Sequence, residues 1–70
     1  MPHVLIVDDE RDLAELIDFN LRAAGFSTHV APTGESALSA AREQRTDLVL
    51  LDLMLPDMSG VEVCRKLRAA

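Results

Sequence analysis

Apolar positions along the chain follow two alternating rhythms. Residues 3–7, HVLIV, form a continuous apolar run rich in β-branched side chains, the pattern of a strand covered on both faces. The spacing then changes. Leu13, Leu16, Ile17, Leu21 and Ala24 recur three and four apart, which predicts an amphipathic helix with these side chains turned inward. Asp9 or Glu10 can cap its start, acidic residues crowd its first turn, and Gly25 stands where a helix-ending glycine belongs. Residues 26–31, FSTHVA, predict a second strand, with Pro32 and Gly34 as turn residues after it. A second helix is predicted over 35–43, with Ala37, Leu38 and Ala41 inward and Thr33 as its cap. Residues 47–51, DLVLL, predict a third strand. SGVE at 59–62 has the form of a capping box, with Ser59 as N-cap and Glu62 three positions on. It opens a third helix carrying Val61, Cys64 and Leu67 on one side.

Strands alternating with helices predict a parallel sheet with helices on its faces. Crossovers between parallel strands are right-handed in nearly all cases. With the second and third strands flanking the first, the first helix covers one face and the other two helices cover the opposite face. The C-terminal end of the central first strand is then a switch point, where ligands bind in sheets of this kind.

Composition narrows the picture. Seventy residues make one small domain, whose stability is expected to be marginal. Phe19 and Phe26 are the only aromatics, so the core must come from Leu, Val, Ile and Ala. Seven basic and twelve acidic residues give a net charge of −5, which argues against this segment binding nucleic acid or an anionic membrane directly. Arg65, Lys66 and Arg68 suit the last turn of a helix. A single cysteine, Cys64, forms no internal disulfide and reads as a small buried hydrophobe. Neither a signal peptide nor a membrane span is visible, so a cytoplasmic location is expected.

The chemistry sits where the strands stop. The apolar run 48–51 ends on Asp52 and the run 3–7 ends on Asp8 and Asp9. Adjacent strands lie about 4.8 Å apart, so the three carboxylates would converge in one crevice. Two such charges about 4 Å apart repel by ~4 kcal/mol at an effective dielectric near 20, and a cation would relieve them. An all-oxygen set with room for water suits Mg²⁺. A carboxylate can also attack phosphorus, and Asp52 has the placement of a nucleophile beside metal ligands.

VLIVDDE (4–10) and DLVLLDLMLPDMSG (47–60), at their spacing, resemble the receiver domain of bacterial two-component response regulators. That resemblance implies an α/β fold, a truncated flavodoxin-like doubly wound parallel sheet with three strands in order 2-1-3 and three helices. It implies that Asp52 is the phospho-acceptor, taking its phosphoryl group from a sensor histidine kinase. Asp9 would bind Mg²⁺ directly, Asp8 mainly through a water, and the main-chain carbonyl of Met54 would join Asp52 as a further ligand. The wording DLMLPDMSG is similar to regulators whose second domain is a winged-helix DNA binder. Receivers have five strand–helix units, so residues 1–70 are expected to be the N-terminal three, without the fourth and fifth. The third strand would then expose an apolar edge, and a homo-oligomer through that edge or through the helix faces is expected. Two other readings compete: a structural or dimerising module, and a Mg²⁺-dependent phosphohydrolase with an Asp nucleophile. The latter is weak, because Glu10 and Met54 stand where an acid/base Asp would follow Asp8 or Asp52 by two. Asp57 reads as a solvent-facing turn residue, His3 and His29 as strand residues without a catalytic role, and Thr33 with Gly34 as cap and turn.

Overall fold

Every residue of strand β1 (His3–Val7) is buried, as a strand covered on both faces requires. The computed structural model describes residues 1–69. After β1 come helix α1 (Arg11–Ala23), strand β2 (Ser27–Ala31), helix α2 (Gly34–Glu43), strand β3 (Leu48–Leu51) and helix α3 (Gly60–Ala69). The sheet is parallel in the order β2-β1-β3, with Val7 in register with Ala31 on one side and Leu51 on the other. This is the order expected from the sequence, with β1 in the centre.

Two apolar layers follow from the alternation of β1. Val4 and Ile6 pack under α1 with Ala14, Ile17, Leu21, Phe26 and Val30. Leu5 and Val7 face the other way, against Ala37 and Leu38 of α2, Val63 of α3, and Ala31. Helix α1 therefore covers one face while α2 and α3 cover the other. The fully buried set is aliphatic throughout, and Phe19 stands in solvent.

Three helical details differ from the periodic reading. In α1 the stripe against the sheet is Ala14, Ile17 and Leu21; Leu13 and Leu16 are 44% and 58% exposed, and Ala24 is exposed. The reason is position: α1 lies over β1 and β2, so side chains turned away from those two strands stay open to water. In α3 the buried side chain is Val63, with Leu67 packed beside it, while Val61 is 58% exposed and Cys64 half-buried. Helix α1 also starts without a side-chain cap from its N-cap residue, Glu10. The end of α1 and the start of α2 match expectation, while the box expected at the start of α3 forms only on its Ser59 side. Gly25 adopts φ +97°, the left-handed turn that closes α1, and Thr33 caps α2 in a reciprocal box with Ser36. Ser59 Oγ accepts the Glu62 amide at 3.2 Å, whereas the Glu62 carboxylate turns to Arg65.

Candidate functional site

Both β1 and β3 end in an aspartate that bonds forward into its own turn. Asp8 Oδ1 accepts the amide of Glu10 at 2.9 Å, and Asp52 Oδ1 accepts the amide of Met54 at 3.2 Å. Such turns suit Asp, whose short side chain reaches the main chain two residues on. The strand tips are fixed by the sheet itself. The Asp52 amide donates to the Val7 carbonyl at 2.9 Å, and the Asp8 amide donates to the Ala31 carbonyl at 3.1 Å.

This framework brings the three expected carboxylates together. Asp8, Asp9 and Asp52 each offer an oxygen, and the three oxygens lie within 4.8 Å of one another. Asp8 and Asp52 are half-buried and Asp9 is exposed. They share an open cleft of about 460 Å³, whose apolar wall is formed by Leu13, Ile17 and Leu50. A hard, all-oxygen donor set of this charge fits Mg²⁺ better than a metal that prefers nitrogen or sulfur. Met54 follows the site and is 82% exposed, and its main chain pairs with Ser59 in an isolated bridge. Gly60 sits against the Asp52 carbonyl and the Leu53 Cα, a space that a Cβ would fill, and its amide donates to Leu53 O at 2.7 Å.

Asp57 does more than the sequence suggests. Its Oδ1 accepts the Gly34 amide at 2.8 Å and its Oδ2 the Glu35 amide at 2.9 Å, so it closes the start of α2 from another loop. These two bonds hold its carboxyl below the usual carboxylate range. A Pro-Asp pair reads as a turn whether or not the carboxylate has a distant partner, so no local signal could have found this. His3 is a buried strand residue as expected, with Nδ1 at 2.6 Å from Ser27 Oγ, and His29 is exposed on β2.

A family model described as the response regulator receiver domain matches residues 4–70. The chain is 58% identical over 66 residues to the DNA-binding response regulator MtrA of Mycolicibacterium paratuberculosis, covering 94% of this chain and 29% of that protein. It is 54% identical over 66 residues to the probable transcriptional regulatory protein TcrX of Mycobacterium tuberculosis, covering 94% of this chain and 28% of that protein. Among solved structures it is similar to the response regulator TrrA of Thermotoga maritima in complex with Mg²⁺-BeF. There the TM-score is 0.93 at 38% identity, over 99% of this chain and 60% of the other. TrrA has also been solved in complex with the histidine kinase ThkA, with a TM-score of 0.92 at 38% identity over the same shares. The chain thus spans less than a third of the curated relatives' length. Among the described residues, no helix is long and apolar enough to cross a membrane.

Proposed function

The chain belongs to the response regulator receiver family, a family of signalling domains, and from that premise we propose that it is a cytoplasmic phospho-acceptor whose acceptor is Asp52. Residues 1–70 would supply the first three strand–helix units of a receiver. The observation that carries the reading is the convergence of Asp8, Asp9 and Asp52 at the tips of neighbouring parallel strands.

The residues divide the work by geometry. Asp52 Oδ1 is already engaged by the Met54 amide, which leaves Oδ2 to attack phosphorus. Attack forms the Asp52 oxygen–phosphorus bond and breaks the phosphorus–nitrogen bond of a kinase phosphohistidine, whose imidazole leaves with the bonding pair. Asp9, Asp8 through a water, the Asp52 carboxylate and the Met54 carbonyl would hold Mg²⁺. When bound, the ion supplies neutralisation of charge on the transferring phosphoryl oxygens. Asp8 keeps its turn bond to Glu10, which fixes the orientation of its carboxylate.

Three partners follow from this reading. A sensor histidine kinase is the donor, in keeping with the TrrA–ThkA complex. A DNA-binding output domain is the target, in keeping with relatives named as DNA-binding regulators. A second copy of the chain is the third, through the β3 edge or the helix faces.

Intact mass after incubation with Mg²⁺ and acetyl phosphate tests the acceptor. One added phosphoryl group on the wild type and none on Asp52→Asn is the expected result. A folded wild type that stays unmodified, or equal modification of Asp52→Asn, would overturn it.

A further inference from the structure

The four leading amides at the start of α2 are all met, and by two different parts of the chain. The Thr33 amide donates to Ser36 Oγ and the Ser36 amide donates to Thr33 Oγ1, a local exchange. The two amides between them, of Gly34 and Glu35, donate to the two oxygens of Asp57. Those first amides of a helix have no partner within it, and water could satisfy them equally well. A carboxylate carried there by the loop after Asp52 does something that water cannot: it fixes that loop.

The loop is mounted at two points. At its base, Met54 bridges Ser59 and the Gly60 amide bonds the Leu53 carbonyl, directly behind Asp52. At its tip, Asp57 grips α2, and the Met58 side chain lies over Gly34 so closely that a Cβ there would strike it. Met58 also packs into the layer that holds Val63. The β2–α2 turn is itself tied to the acid cluster, since the Asp8 amide bonds Ala31 at its start. The contacts form a closed ring: Asp52 to its loop, the loop through Asp57 to α2, α2 through Ala31 to Asp8, and β1 back to Asp52.

We propose that Asp57 is a positioning residue that clasps the acceptor loop to the N-terminus of α2, so that Asp52 and the Met54 carbonyl are held as one body with Asp8. The proposal rests on the phospho-acceptor reading for its functional consequence and on the hydrogen bonds alone for the clasp. Supports of this indirect kind, removed from a metal site, cost about tenfold or more in affinity.

The test compares three variants of the full chain. Asp57→Ala removes the clasp. Thr33→Ala removes the local cap of the same helix and leaves the clasp in place. Asp57→Asn keeps one acceptor oxygen for the Gly34 amide. Amide hydrogen exchange is followed at Gly34, Glu35, Met54 and Gly60, and Mg²⁺ affinity by titration of amide shifts at Asp9 and Asp52. The expected result for Asp57→Ala is faster exchange at all four amides, with Mg²⁺ binding weakened about tenfold. Thr33→Ala should leave Met54 and Gly60 unchanged and shift Mg²⁺ affinity less than about twofold, the scale of surface effects. Asp57→Asn should fall between Asp57→Ala and wild type. Unchanged exchange at Met54 and Gly60 in Asp57→Ala, or the same response in Thr33→Ala, would reduce Asp57 to a helix cap and overturn the proposal. A wild type that binds no Mg²⁺ would count against the phospho-acceptor reading, and the exchange measurement, which needs no metal, would still decide the clasp.

Discussion

Gly60 lies where β3, the loop after it and α3 meet, and its need for glycine is one of space. A Cβ at this position meets the Leu53 Cα at 2.7 Å and crowds the Asp52 carbonyl, both of them main chain and unable to swing away. Overpacking of this kind costs about 1–3 kcal/mol, so urea denaturation of Gly60→Ala should show a loss of that size. Phosphorylation should fall with it, because the displaced atoms belong to Asp52, the proposed acceptor, and to Leu53; a variant equal to wild type in both would show that the loop yields freely. Asp57 gives a pH dependence at the same scale. Its folded carboxyl sits below the ordinary value of about 3.9, so its contribution is complete above that value and is lost as pH falls through the lowered one. The acid limb of thermal stability should therefore be steeper in wild type than in Asp57→Asn, whose side chain does not titrate. Asp8, Asp9 and Asp52 are legible because they follow directly on the apolar runs of β1 and β3, and where such a run stops is written in the local pattern. Asp57 is not, because its partners lie 22 and 23 positions away and nothing near it in sequence records them.

Periodicity finds the helices, but the sheet decides which stripe of each is inside. In α3 the spacing of Val61, Cys64 and Leu67 is as good a stripe as that of Val63 and Leu67. The structure chooses the second, because α3 lies beside α2 over Leu5 and Val7. Val63→Ala removes two buried methyls and should cost about 1.5–3 kcal/mol in chemical denaturation, from their transfer and the cavity they leave. Val61→Ala should stay within about 0.5 kcal/mol, as substitutions at exposed positions do. The reverse order would mean that the helix is rotated by a residue. The same reasoning applies to α1, whose Leu13 and Leu16 keep the right period but stay 44% and 58% exposed, because the helix lies over β1 and β2. The helix ends divide in a similar way. Gly25 and Thr33 can be read because their partners are local, whereas the start of α1 has no side-chain cap from Glu10 despite the acidic pair Asp9-Glu10 there.

At the scale of the whole molecule the sheet is unequal on its two sides. Among the described residues β1 has a neighbour on each edge and β2 and β3 have one each, but it is β3 that leaves leucines in water. Leu48 and Leu50 are 53% and 37% exposed on the α1 side of that strand. Fully burying a large aliphatic side chain contributes about 1.5–3 kcal/mol, and the exposed parts of Leu48 and Leu50 together amount to about one such side chain, a sizeable share of a small domain's total stability of about 5 kcal/mol. A second copy of the chain brings the same leucines and the same open edge. Two β3 edges paired about a twofold axis would satisfy both sets of main-chain groups and cover both patches at once. The net charge of −5 opposes such pairing, so salt should strengthen it. Light scattering of the 70-residue chain should give a dimer whose dissociation constant falls as ionic strength rises. Leu50→Lys puts a cation in the middle of the paired edge and should return a folded monomer. A wild-type chain that is folded and monomeric at high concentration would refute the pairing, leaving the β3 edge to a strand from some other source. A dimer that survives Leu50→Lys would move the contact from the edge to the helix faces, where Val61 and Leu16 remain uncovered.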